Sequence, residues 1–286
     1  MNIAIIGLGL IGGSIAKAAK RNTSHTILGR DTDHNAILRA RMLQAIDGEV
    51  QEADYGSLDM VIISLYPADG AAVLEELAPS LKAGTIVLDT CGTKVIVCER
   101  MQEICRRHGL CFIGGHPMAG IERSGFDASS ETLFSHASML MVPDPRIDIS
   151  QLETAKHFFM ALGFGSVKIT TAAEHDRIIA YTSQLAHLVA SAYIKSPTAM
   201  EHAGFSAGSF RDMTRVATLH EKMWSQLCLD NREPLLNELQ RLMANLDDFR
   251  KAIEASDHEA LLRLFREGRE LKARVDALPP TPYSIF

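Results

Sequence analysis

Near its start the chain reads Asn-Ile-Ala-Ile-Ile over residues 2–6, followed at once by glycines at 7, 9 and 12. No other feature constrains the fold as tightly. An apolar run with no polar alternation predicts a strand buried on both faces of a parallel sheet. Leu10 to Ala19 then predicts a helix packed back on that strand. In a G-x-G-x-x-G turn the first glycine permits the tight bend and the second leaves room for a pyrophosphate against the backbone. The third lets helix and strand pack closely. The helix N-terminus adds unpaired N–H groups and the positive end of its dipole. An acid, Asp31, stands nineteen residues past Gly12, at the end of a second strand predicted over Thr26 to Leu28. A carboxylate there accepts hydrogen bonds from an adenine ribose 2′-OH. The reading is a dinucleotide site formed by Gly7, Leu8, Gly9, Leu10, Ile11, Gly12 and Asp31. The acid favours NAD. Arg30 is open to two readings, a partner for the 2′-phosphate of NADP or a solvated surface charge.

The same alternation continues. Asp33 is placed to N-cap a helix running to about Leu43. Strands are predicted over Met60 to Leu65, Thr85 to Leu88 and Leu110 to Ile113, with helices over 68–81 and 94–108 between them. A strand at Ser138 to Val142, a helix over 149–162 and a strand at Ser166 to Ile169 follow. Strands alternating with helices of this length predict right-handed βαβ units and a doubly wound sheet. From about Thr170 the pattern turns wholly helical, with helices expected over 173–195, 209–228, 231–255 and 257–275. The fold expected is an α/β Rossmann-type domain over residues 1–170 and an all-helical domain over 171–286, serving substrate binding and dimerisation. Leu235, Leu239, Leu242, Leu246 and Phe249 recur at helical spacing. That stripe belongs either in the helical core or against a second subunit, and a homodimer is expected. The tail, Pro279 to Tyr283, is expected to be irregular.

Composition excludes several classes. The 286 residues are 47% hydrophobic and 22% charged with a net charge of −6, which gives no reason to expect a nucleic-acid or anionic-membrane partner. The first residues already read as a strand, so no signal peptide is expected, and no apolar run reaches membrane-spanning length. The five cysteines, at 91, 98, 105, 111 and 228, show no paired spacing and read as cytoplasmic thiols with no metal site.

In open α/β sheets ligands lie beyond the carboxyl ends of the strands. That rule selects, besides the glycine turn, Ser64-Leu65 after the third long strand and Asp89 with the residues to Lys94 after the fourth. It also selects Gly114-Gly115-His116 after the fifth. Ser64, Leu65 and Asp89 are expected to touch the cofactor. His116 is expected in an open glycine-rich turn, where an imidazole that titrates near working pH can take a hydroxyl proton while a hydride departs. The helical half holds Glu174-His175-Asp176-Arg177, Ser183 with His187, and Phe210-Arg211-Asp212-Met213-Thr214-Arg215 with Trp224 beyond. An arginine there can hold a substrate carboxylate bidentately or join an interhelical ion-pair network.

Six segments carry a resemblance over nearly the whole chain: GLGLIGGS at 7–14, GRD at 29–31, D-x-x-x-x-K at 89–94, GGHPMAGIERSG at 114–125, EHDRIIAYTSQLAH at 174–187, and FRDMTRVA with a following Met-Trp at 210–224. In these blocks the chain resembles the prephenate dehydrogenases, a group that includes arogenate dehydrogenases. The resemblance implies an NAD-dependent oxidative decarboxylation of prephenate to 4-hydroxyphenylpyruvate, by a monofunctional enzyme of tyrosine biosynthesis. It implies that His116 hydrogen-bonds the ring hydroxyl, that Arg215 binds a substrate carboxylate and that His187 lines the pocket. Asp212 and Trp224 would shape the site around the arginine. The family usually carries serine where Gly92 stands; either Thr90, Cys91, Thr93 or a water takes over that contact, or catalysis is weaker, or the substrate differs. Ile121 also replaces a common threonine. An alternative is a β-hydroxyacid-type dehydrogenase with Lys195 as its lysine, but that type lacks the His116 block. Another is a binding homologue without efficient turnover, which would need neither His116 nor Arg215.

Overall fold

A computed structural model describes residues 1–278; the tail expected to be irregular, from Pro279 to Tyr283, lies outside them. The chain divides into two compact units. One comprises Met1–Ile178 and Thr218–Asp230, the other Ile179–Ala217 and the chain from Asn231 on.

The first unit is built on an eight-stranded sheet. Its strands are β1 (Asn2–Ile6), β2 (Thr26–Arg30), β3 (Gly48–Glu49), β4 (Met60–Ile63), β5 (Ile86–Asp89), β6 (Cys111–Pro117), β7 (Ser138–Pro143) and β8 (Ser166–Ile169). They lie in the order β3-β2-β1-β4-β5-β6-β7-β8. All neighbours are parallel except β6 and β7, which pair antiparallel with His116 opposite Leu140. The reversal of strand order at β1 creates the switch point where an open sheet of this kind accepts ligands. Edge strand β3 is two residues long, too short to leave a periodic signal in the sequence.

Helices α1 (Leu10–Asn22), α2 (His34–Met42), α3 (Pro67–Leu77), α4 (Val95–Arg107) and α5 (Ile149–Ala161) link the strands. Side chains alternate across the sheet as the pleat requires. Ile3, Ile5, Met60 and Ile62 enter one apolar layer with Phe158 and Phe159. Ala4, Ile6, Val61 and Ile63 enter the other with Leu74 and Met101. Burial on both faces explains why these strands read as unbroken apolar runs. Asp33 caps α2 by accepting from the Asn35 N–H, Pro67 opens α3, and Pro79 follows where α3 tightens and stops.

Two predicted helices are interrupted. The segment expected over 173–195 forms α6 (Ala172–Ile179), a π-helical turn over Ala180–Leu185, and α7 (Ala186–Tyr193). The helix expected over 209–228 is split into α8 (Gly208–Thr214), a 3-10 turn at Arg215–Ala217, and α9 (Glu221–Asp230). Thr214, Val216 and Thr218 are β-branched and favour helix less. The Thr214 hydroxyl also bonds back to the Phe210 carbonyl at 2.8 Å. His220 restarts the helix, its ring nitrogen accepting from the Met223 N–H. The second unit is completed by α10 (Arg232–Glu254) and α11 (His258–Asp276), which pack on one another. Phe249 meets Phe265 across them, with ring centroids 5.2 Å apart.

Candidate active site

The glycine turn is built for close approach. Gly7 has φ +91°, and a Cβ on it would stand 2.5 Å from the Ser64 carbonyl oxygen. A Cβ on Gly12 would fall 1.9 Å from the Gly7 carbonyl, so helix and strand meet there without side chains. Gly9 is different: nothing lies within 4 Å of its Cβ position, and no side chain caps α1, whose N-cap it is. An open space facing uncapped amides is the shape a pyrophosphate fits. Leu10 and Ile11 begin α1 beside it, half-buried.

Asp31 ties this turn to the end of β2. One of its oxygens accepts from the Leu8 N–H at 2.6 Å and the other from the Asp33 N–H at 2.8 Å. The carboxylate therefore stands fixed where an adenine ribose would lie. Arg30 points its guanidinium to the Glu76 carboxylate at 2.9 Å and to the Tyr55 hydroxyl at 3.4 Å. Burial works against its charge, but these partners outweigh it and raise its pKa. The Ser64 hydroxyl, beside Gly12, is buried without a hydrogen-bond partner among the described residues, a donor left for a ligand. The residues present fit a dinucleotide.

Asp89 does not face a ligand. Its carboxylate, expected to contact the cofactor, has no exposed surface. It pairs with the equally buried Lys94 ammonium and accepts from the N–H groups of Cys91 at 2.8 Å and Gly115 at 3.0 Å. Burial opposes the charge on Lys94, yet the adjacent carboxylate holds its pKa above the ordinary lysine value. This anchor joins the end of β5, the start of α4 and β6. The turn between Asp89 and Lys94 carries Gly92 and Thr93. A Cβ on Gly92 would meet only Leu227 methyl groups at 3.4 and 3.5 Å, so the backbone leaves room for a serine. The Thr93 hydroxyl is buried and lacks a partner among the described residues.

His116 is within β6, not in an open turn after it. The glycines before it serve packing: a Cβ on Gly114 would lie 2.6 Å from the Cys98 sulfur, and one on Gly115 2.3 Å from the Asp89 carbonyl. Strand pairing thus carries the imidazole to the carboxyl edge on a rigid backbone, the residue as a whole being half-buried. Its Nδ1 lies 2.9 Å from Nε2 of His175. Burial, then the neighbouring His175 and Lys94, pushes its pKa well below that of an ordinary histidine. The ring is neutral at physiological pH and able to accept a proton.

His175 and Asp176, adjacent on α6, were legible only as a polar cluster. Asp176 accepts from the N–H groups of Lys94 at 2.7 Å and Val95 at 2.8 Å, capping α4. It also stands 2.7 Å from Nδ1 of His175. Fifty-nine residues separate His116 from His175, and no local pattern reports a contact over that span.

The other expected site residues are distributed between the units. Trp224, on α9, belongs to the sheet-bearing unit. Arg215, Asp212 and His187 belong to the helical unit. There α7, which carries His187, packs on the turn that Arg215 opens. His187 is oriented by its Nδ1–H, which donates to the Ser183 carbonyl at 2.9 Å. That carbonyl sits in the π-helical turn, a feature common at functional sites. Gln184 of the same turn accepts from the Asn231 side-chain amide at 2.7 Å, tying the turn to the start of α10. Arg215 and Asp212 are exposed within this unit.

Comparison with known proteins gives a consistent picture. Residues 15–168 match a family model described as the nucleotide-binding domain of prephenate dehydrogenase. Residues 171–267 match one described as the prephenate dehydrogenase dimerization domain. The chain is 32% identical to a cyclohexadienyl dehydrogenase of Zymomonas mobilis, over 95% of this chain and 94% of that one. It is 31% identical to a prephenate dehydrogenase of Bacillus subtilis, over 97% of this chain and 76% of the other. A crystal structure of prephenate dehydrogenase from A. aeolicus, in complex with hydroxyphenyl propionate and NAD+, superposes with a TM-score of 0.85. It is 25% identical, over 96% of this chain and 98% of that one.

Proposed function

The chain belongs to the prephenate dehydrogenase family, and on that premise we propose that it oxidises prephenate with NAD, with loss of carbon dioxide, to 4-hydroxyphenylpyruvate. One observation carries this reading: a histidine held neutral at the end of β6, on the carboxyl edge of the sheet that also bears the glycine cradle. Bound NAD supplies the hydride acceptor. His116 takes the proton of the ring hydroxyl as a hydride leaves the same carbon, and departure of carbon dioxide makes the ring aromatic. Aromatisation drives the reaction, so the protein has mainly to orient the ring and receive one proton. Arg215 holds a substrate carboxylate, His187 lines the pocket, and Asp212 and Trp224 shape it. The turn at Gly92 and Thr93 approaches the ring hydroxyl.

NAD is favoured over NADP because the fixed Asp31 carboxylate repels a 2′-phosphate, while Arg30 is engaged by Glu76. Within this proposal residues 1–170 serve the dinucleotide, and residues 171–286 serve the substrate and a second copy of the chain. Support for a homodimer comes from the matched domain's description and from exposed apolar side chains on α10 and α11. These include Leu236, Met243, Leu246, Ile253 and Leu262. No helix among the described residues is long and apolar enough to cross a membrane, in keeping with a cytoplasmic enzyme. The test is nicotinamide reduction with prephenate or arogenate, each with NAD and NADP. Prephenate with NAD is expected to give the highest kcat/KM. Absence of reduction and of carbon dioxide release with prephenate would overturn the proposal.

A further inference from the structure

The buried run Asp176–His175–His116 has a direction. A carboxylate only accepts hydrogen bonds, and Asp176 already accepts from two backbone N–H groups of the α4 N-terminus. The His175 nitrogen 2.7 Å from it, Nδ1, must therefore carry a proton. In a neutral His175 the far nitrogen, Nε2, is then a bare acceptor. It faces Nδ1 of His116 at 2.9 Å, so that nitrogen carries the proton on the second ring. What remains on His116 is an Nε2 with its lone pair free of this chain of bonds.

We propose that His175, held by Asp176, is a positioning residue that fixes the tautomer of His116 so that Nε2 is the base. This rests on the reading that His116 takes the substrate's hydroxyl proton, and it names the nitrogen that does so. The arrangement has a physical logic beyond orientation. An isolated imidazole divides its proton between two nitrogens, and one of the two tautomers presents an N–H where the reaction needs a lone pair. The carboxylate end also offsets the positive charge that reaches the paired rings when His116 accepts its proton, as the aspartate of a serine-protease triad does. His175 and Asp176 are almost wholly buried, 2% and 1% exposed, so water does not compete for these bonds. Because the same carboxylate caps α4 next to Lys94, the base is keyed to the anchor that joins β5 and β6.

The test has a readout that needs no substrate. In the full-length enzyme with 15N-labelled histidine, long-range proton–nitrogen correlation spectra show which ring nitrogen is protonated, and loss of one signal set in His116→Asn assigns the residue. His116 is expected to carry its proton on Nδ1; a proton on Nε2 overturns the proposal. Turnover of His175→Gln and His175→Leu gives the second measurement. Glutamine keeps an acceptor facing His116 and is expected to cost less than about tenfold in kcat. Leucine leaves the tautomer unfixed and should cost about 10²-fold or more, with the KM for NAD unchanged in both. Equal losses in the two variants also overturn the proposal. An Nδ1 proton together with no turnover of prephenate would instead reject the substrate reading and leave the positioning role standing.

Discussion

The two units of this molecule treat their polar and apolar groups in opposite ways. In the sheet-bearing unit the apolar strands vanish into two layers, and charges taken inside are matched at once, Asp89 by Lys94 and Asp176 by backbone amides and His175. In the helical unit, α11 has no buried residue and α10 buries only Leu235 and Ala252. Large apolar side chains such as Met243 and Leu246 remain 61% and 59% exposed. The first unit satisfies itself within one chain. The second leaves large apolar side chains uncovered, as the proposed homodimer requires. On the proposed reading, the fold keeps a buried polar site on one part and uses the loosely covered helical pair for assembly.

The most severe way to break this contrast is to strand a charge in the first unit. Lys94→Met leaves Asp89 buried without its partner, and about 3–5 kcal/mol of stability should be lost. Urea denaturation would read it, and addition of Asp89→Asn should restore part of the loss. An unchanged midpoint would mean that water reaches the pair. Next in size, the double substitution Met243→Glu and Leu246→Glu puts charge on the uncovered helical face. Burial of such side chains is worth about 1.5–3 kcal/mol each, so the proposed dimer should weaken by about 10²-fold or more while helicity by circular dichroism is retained. Sedimentation equilibrium showing the same assembly would place the interface elsewhere.

A smaller effect sharpens the picture of the first unit. In its proposed role His116 acts as a base only when neutral, so activity should fall as pH drops through its pKa. Burial and the facing His175 and Lys94 put that pKa well below the ordinary 6.5. The acid limb of kcat/KM should therefore lie well under 6.5, and a limb at or above it would show the ring to be solvated. The smallest change is Gly92→Ser. The site has room for the side chain, and one added hydrogen bond of about 0.5–1.5 kcal/mol should raise kcat by about tenfold or less with no loss of thermal stability. A fall in kcat would mean that Thr93 or another group already fills that place.

Much of the architecture was legible along the chain. Gly7, Gly12 and Asp31 carry their reasons locally, in a turn, a close approach and a strand end. The helix over 209–228 was misread because apolar periodicity outweighed the β-branched Thr214, Val216 and Thr218, which break it next to Arg215. Asp89 was misread for a different reason. A strand-end acid looks the same in sequence whether it greets a ligand or, as here, a lysine five residues on that folds back beneath it.

By itself the sequence determined the βαβ pattern, the cofactor cradle and the residue types of a dehydrogenase, because each is encoded within a few turns or strand lengths of chain. The tertiary structure alone decided which groups meet. His116 meets His175, and through it Asp176, only because β6 pairs with β7 and α6 brings His175 against it from fifty-nine residues away. Proximity across that distance is set by strand register and helix capping acting together, and neither leaves a mark in the spacing of residues.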